Sequence, residues 1–210
     1  EKELMAQSEI GEETNEKSQT KANDDYYQKE KLKAKAKLDA EEDITEDLIS
    51  IEQKLAWNYD KLRNHKEAEI HLRKAISLGD NEEWVFSQLA YNLRSQERYE
   101  EALESFKKAY DKDNNGWYLY SMGRCLRGLE RYEEAIEILL KSRQISLDEE
   151  DVVDGEDFEL AHCYIGIGDK ENAQKYLDSA RDAIIERGIL NDYFKEEIEK
   201  IEKGILSLDN

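Results

Sequence analysis

The chain has 210 residues, with 31 Lys and Arg against 51 Asp and Glu, giving a formal net charge of −20. That balance lacks the dense basic footprint a phosphate backbone requires, so nucleic acid is not expected as a partner. Two cysteines are too few for a disulfide scaffold and suit a reducing, cytoplasmic setting, and the complete absence of proline removes polyproline segments and proline-kinked helices.

Residues 1–23 hold no aromatic side chain and only Leu4, Met5 and Ile10 as large apolar ones. Such a stretch cannot bury enough surface to offset ordering entropy and is expected to remain a disordered tail. Its opening Glu1-Lys2-Glu3-Leu4 shows neither an apolar signal stretch nor an initiator methionine, so a fragment of a longer chain is expected. Residues 24–43 read as a Lys-rich helix, with Leu32, Ala34, Ala36 and Leu38 among lysines that step by two from Lys29 to Lys37. At that step the lysines spread around a helix, which reads as a solvated element; a basic anchor for an acidic partner is the alternative. No apolar run here or further on approaches the ~20 residues of a membrane span, and no membrane is expected as a partner.

From residue 44 the chain is repetitive. Ala68, Ala102, Ala135 and Ala173 follow one another at spacings of 34, 33 and 38, each just after a polar, Glu-containing turn. Upstream of them stand Leu55-Ala56, Leu89-Ala90, Met122-Gly123 and Leu160-Ala161, a large residue beside a small one. Downstream, at +4, come Leu72, Phe106, Leu139 and Leu177, and at +7 Ala75, Ala109, Ser142 and Ala180. Each unit thus carries two stretches of apolar residues at helical spacing, split by a turn, which predicts a helix–turn–helix hairpin. The small residues let neighbouring helices approach closely, and stacking buries the stripe one hairpin leaves bare.

These units resemble tetratricopeptide repeats, a 34-residue helical repeat with large–small pairs in the first helix and alanines in the second. The resemblance places repeats at 49–82, 83–115, 116–149 and 154–187 and implies an all-α, right-handed α-solenoid. Departures fall at the ends, where Glu52 and Asp157 occupy a position that is usually large and apolar. The residues that would close a unit with proline are Asp80, Asn114 and Leu147. A longer junction, with the acidic run 148–151, precedes the fourth unit. Residues 188–210 carry Phe194, Ile198, Ile201, Ile205 and Leu208 as one apolar stripe, which predicts a capping helix.

The resemblance also implies that the second, fifth, ninth and twelfth residues of each unit face a ligand groove. From these positions the candidate peptide-binding residues are Trp57 in the first unit and Trp84, Tyr91 and Arg94 in the second. The third contributes Trp117, Tyr120, Arg124 and Arg127, and the fourth Phe158 and His162. Aromatics with arginine are the usual currency of binding hot spots, and Arg offers a planar fork for carboxylates. A protein or peptide of acidic or carboxylate-bearing character is therefore the expected partner, although Trp84, Trp117 and Tyr120 could equally serve packing between units. The carboxylate clamp of co-chaperone repeats is not expected, because the corresponding residues are Gln53, Trp57, Gln88, Trp117 and Ser121.

No catalytic, metal or cofactor site is expected. Asp111-Lys112-Asp113-Asn114-Asn115-Gly116 opens like a calcium loop, but its twelfth position is Met122, a core position, so the stretch reads as a turn. His65, His71 and His162 lack metal-ligand spacing, and Cys125 and Cys163 have no base at motif spacing. The reading is a non-catalytic protein-interaction scaffold, with two alternatives: a secretion-type or co-chaperone-like chaperone for a specific client, or an architectural segment of a larger repeat protein.

Overall fold

The computed structural model describes residues 21, 25–36, 44–149 and 153–209. The tail expected over 1–23 lies outside these residues except for Lys21, as do Glu150 and Asp151 of the acidic junction. Among the described residues the secondary structure is helical throughout, with no strand. Helix α1 spans 25–36, followed by α2 (Thr45–Lys61), α3 (His65–Ser77), α4 (Glu83–Ser95), α5 (Tyr99–Lys112), α6 (Gly116–Gly128), α7 (Tyr132–Asp148), α8 (Asp154–Gly166), α9 (Lys170–Glu186) and α10 (Asp192–Ser207). This is an all-α helical-repeat fold.

The turns inside the hairpins obey one rule. Arg63, Glu97, Glu130 and Gly168, each five residues before a repeat alanine, all have positive φ, at 56°, 59°, 57° and 76°. One left-handed residue follows each first helix, but only the fourth unit fills it with glycine, the residue that adopts this conformation without strain. The second helix then starts on a polar cap where one is available. The Asn64 side chain accepts from Glu67 N at 3.4 Å and Asp169 from Asn172 N at 3.1 Å. Asn115 caps α6 by accepting from Trp117 N at 2.9 Å, so the calcium-like stretch ends one helix and starts the next.

The chain forms two compact units, one through Gln96 and the other from Glu97. In the first, α2 and α3 pair as a hairpin and α4 packs on α3. Ile51, Leu55, Tyr59 and Ala68 form a core cluster that receives Tyr27 of α1. Tyr27 meets the His71 ring edge-on at 6.3 Å between centroids, and the Lys74 ammonium lies 3.3 Å from its hydroxyl and over its ring. Ala34 is buried as well, so the Lys-rich helix packs on the first hairpin and is only partly solvated.

In the second unit α6 pairs with α7 and α8 with α9; α5 packs on α6, α7 on α8, and α10 on both α8 and α9. One core runs through it from Leu126, Ala135 and Leu139 to Leu177, Ile184, Ile201 and Ile205. The repeat alanines 68, 102, 135 and 173 have no exposed surface, and neither do Phe106, Leu139 and Leu177. Burying each of those large side chains is worth ~2 kcal/mol. Gly123 shows why the large–small pair is needed: a Cβ there would sit 2.5 Å from Leu139 Cγ. Ser142, at an alanine position, is satisfied because its hydroxyl proton has an acceptor in either Glu156 Oε1 at 3.0 Å or Gly116 O at 3.1 Å.

The two acidic departures are buried ion pairs. Glu52 accepts from the Lys74 ammonium and hydrogen-bonds His71 Nδ1 at 2.6 Å. Burial pushes its pKa up, but these two partners outweigh burial and hold the carboxyl below its usual range. Asp157 accepts from Arg143 Nε at 2.5 Å and from the Ser179 hydroxyl at 2.6 Å.

Candidate peptide-binding faces

The first helix of each hairpin presents the candidate residues, and the two units present them separately. In the first unit, Trp57 of α2 is 47% exposed, with the Lys61 ammonium 4.7 Å from its ring centroid. Trp84 of α4 is half-buried and, with Ala56, Trp57, Asp60, Leu72 and Gln88, lines a cleft too narrow for a water molecule. Tyr91 and Arg94 lie one helical turn apart on α4, the guanidinium 5.3 Å from the tyrosine ring centroid. The Lys61–Trp57 and Arg94–Tyr91 pairs hold cations over aromatic faces, an arrangement worth ~0.5–1 kcal/mol each when exposed.

In the second unit, Trp117 at the start of α6 is 56% exposed and tilts against Tyr120, with ring centroids 5.1 Å apart. The Arg124 guanidinium stands 5.7 Å from the Tyr120 centroid. Burial, then the Glu159 carboxylate, pushes the Tyr120 phenol up to about 12, so it remains a neutral hydrogen-bonding group. A Cβ at Gly155 would lie 3.3 Å from the Tyr120 hydroxyl, so a side chain there would press on that hydroxyl.

The charge of this face is smaller than its arginines suggest. Glu159 of α8 is buried and accepts from Arg127 Nε at 2.5 Å, while Arg124 Nε lies 3.0 Å from its other oxygen. Two guanidiniums therefore share one carboxylate, and the Glu197 carboxylate also acts on Arg127, so little net positive charge is left. Burial works against the charged form of Arg127, but Glu159 more than compensates and raises its pKa. Glu159 stands at the sixth position of its unit, outside the four positions the repeat resemblance points to, and no sequence signal marks it.

Phe158 and His162 face α10. Phe158 is buried and stacks on Phe194 at 6.2 Å, and His162 Nε2 meets Glu197 Oε1 at 2.5 Å. Burial lowers the His162 pKa, so at neutral pH a neutral imidazole donates Nε2–H to the Glu197 carboxylate. α10 lies over both residues, and little of either is left exposed. Cys125 and Cys163 are buried thiols, and burial followed by the Glu159 charge pushes Cys163 up to about 12, far from a reactive thiolate. Among the described residues no cluster of His, Cys, Asp and Glu could hold a metal ion. None of the described helices is long and apolar enough to cross a membrane.

Comparison with known proteins agrees with this architecture. Residues 61–142 match the family described as Anaphase-promoting complex, cyclosome, subunit 3, and residues 158–180 match the family Tetratricopeptide repeat. No curated protein matches the chain. Among solved structures, MamA superposes with a TM-score of 0.61 at 18% identity, over 75% of this chain and 88% of that one. The nearly identical TPR-like repeats of a putative kinesin light chain from Podosopora anserina give 0.62 at 16% identity, over 82% and 95%. The pilF protein of Pseudomonas aeruginosa gives 0.53 at 18% identity, over 79% and 78%. At these identities the likeness is one of fold.

Proposed function

This chain is a tetratricopeptide repeat protein, and from that premise we infer that it is a non-catalytic scaffold whose first helices hold an extended or helical segment of a partner protein. The observation that carries this reading is the pair Trp57 and Trp117, each about half exposed on a first helix and backed by a rigid hairpin. Large aromatics held in this way supply contact area at low entropic cost and dominate binding energy where they occur. The partly exposed guanidiniums of Arg124 and Arg127 favour a segment bearing carboxylates beside apolar side chains. The chain itself is strongly acidic, so any pull on carboxylates comes from these guanidinium edges and not from the net charge. Its buried thiols support placing it in the reducing cytoplasm.

Affinity capture with the intact chain and with the Trp57→Ala/Trp117→Ala variant tests the proposal. A partner retained by the intact chain and lost by the variant is the expected result, and Arg94→Glu/Arg124→Glu should lose the same partner if it is acidic. Partners that bind the variant undiminished would sink the reading.

A further inference from the structure

A second surface, at the Lys-rich helix, shares no residue with these faces. Gln28, Lys31, Leu32 and Lys35 are spaced by three and four residues and so form one stripe along α1. Ile44 and Leu48, four apart, form a matching stripe where α2 begins. Between the stripes runs an open cleft of about 490 Å³, with Ala34 also lining it. Its floor is apolar, and Leu32 is 69% exposed. Among the described residues, the charged ones that line it are Lys31 and Lys35, whereas the opposite side of α1 has mixed charge, with Glu30, Lys33, Asp47 and Lys54 grouped around Ser50 and Ile51. Lys33 is held by Glu30 at 2.6 Å. The cleft therefore combines an apolar floor with two cations in a chain of net charge −20.

We propose that this cleft docks an acidic amphipathic helix of a partner protein, at a site separate from the tryptophan-bearing faces. A groove between two packed helices accepts the ridge of a third, so Leu32, Ile44 and Leu48 would receive that helix's apolar stripe. Carboxylates flanking the stripe would meet Lys31 and Lys35. An anionic bilayer offers similar chemistry, but each lysine contributes only ~1 kcal/mol there, and the acidic remainder of the chain is repelled from such a surface. The proposal does not depend on the proposed function of the repeat faces.

The test uses the intact chain and a fluorescent synthetic helix of about five turns, with leucines at three–four spacing and flanking glutamates, beside a counterpart whose glutamates are lysines. Fluorescence anisotropy is expected to show the acidic helix binding about tenfold or more tighter than the basic one. Leu32→Glu and Lys35→Glu should each weaken the acidic helix by about tenfold. Trp57→Ala/Trp117→Ala should leave it unchanged. Leu32 is exposed, so its variant keeps the fold, and an unaltered circular dichroism spectrum verifies this. Equal binding of both peptides, or indifference to Leu32→Glu, would overturn the proposal. So would Leu32-dependent self-association in sedimentation velocity without peptide, which would assign the cleft to a second copy. Leu32-dependent capture by phosphatidylserine vesicles would overturn it in favour of lipid.

Discussion

Asp157, wholly buried on α8, accepts a hydrogen bond from Arg143 Nε of α7 at 2.5 Å and shares the Ser179 hydroxyl of α9. One carboxylate thereby joins three helices at the position where a repeat normally places a large apolar side chain. A buried charge stripped of its partner is costly, whereas replacing both partners with apolar groups of similar volume is often neutral or better. Arg143→Ala should therefore destabilise the second unit by ~3 kcal/mol, and Asp157→Leu/Arg143→Met should recover most of that loss. Urea denaturation of Asp157→Leu, Arg143→Met and the double variant gives the coupling directly. Additive losses would mean that Asp157 and Arg143 act independently.

Glu52 poses the same problem in the first unit, with a pH signature. Its folded-state pKa is lowered because the His71 and Lys74 hydrogen bonds overcome the burial that would raise it. A carboxyl with a depressed folded pKa stabilises above its unfolded value, about 4.3, and that stability disappears as pH falls through the folded value. In thermal melts from pH 7 downward, the difference between the parent and Glu52→Gln should hold steady to about pH 4.5 and then shrink. Glu52→Gln should melt lower at pH 7 and lose part of the acid slope. An acid limb identical to the parent's would remove Glu52 from the account.

The left-handed turn residues offer a route to stabilisation. Glu130 at φ 57° holds a conformation that costs a non-glycine residue ~1 kcal/mol, while Gly168 fills the equivalent position in the fourth unit without strain. Glu130→Gly should raise stability by about 0.5 kcal/mol, reduced from the full strain by the greater entropy of glycine in the unfolded chain. Gly168→Ala should cost ~1 kcal/mol. Calorimetry on both variants tests whether the signs are opposite, as required.

These three cases mark how far the amino-acid sequence could be read. The alanine ladder and the large–small pairs were legible because close helix packing imposes them once per unit, and a regular interval exposes them. The turn at Glu130 was legible as a turn, but not its left-handed backbone, since neither Glu nor Arg advertises positive φ. The acids at 52 and 157 were legible only as departures. Their partners lie 14 to 22 residues away on other helices, so only the folded hairpin shows that each is matched. Likewise Phe158 and His162 occupy groove positions by count, yet α10 supplies Phe194 and Glu197 to cover them. The docking of α1 rests on Tyr27 reaching Lys74, 47 residues on, which no local pattern announces.

Glu159 gives the sharpest test of the binding face, because it offsets that face's arginines while itself largely buried. It holds Arg127 at 2.5 Å and Arg124 at 3.0 Å, and both arginines remain about one-third exposed. Glu159→Gln keeps the shape of the carboxylate and removes its charge, so the face becomes more positive by one unit. A partially screened unit charge at contact range near a protein surface is worth ~1 kcal/mol, so an acidic peptide should bind about fivefold tighter to the variant. The gain should shrink as salt is raised, since the added attraction is coulombic. A peptide held only by Trp57 or Trp117 should be indifferent to the change. Titrating one acidic and one neutral peptide against both proteins at two ionic strengths separates these cases. Tighter binding of both peptides, or of neither, would show that Arg124 and Arg127 serve the junction between α6 and α8 alone, with recognition left to the tryptophans.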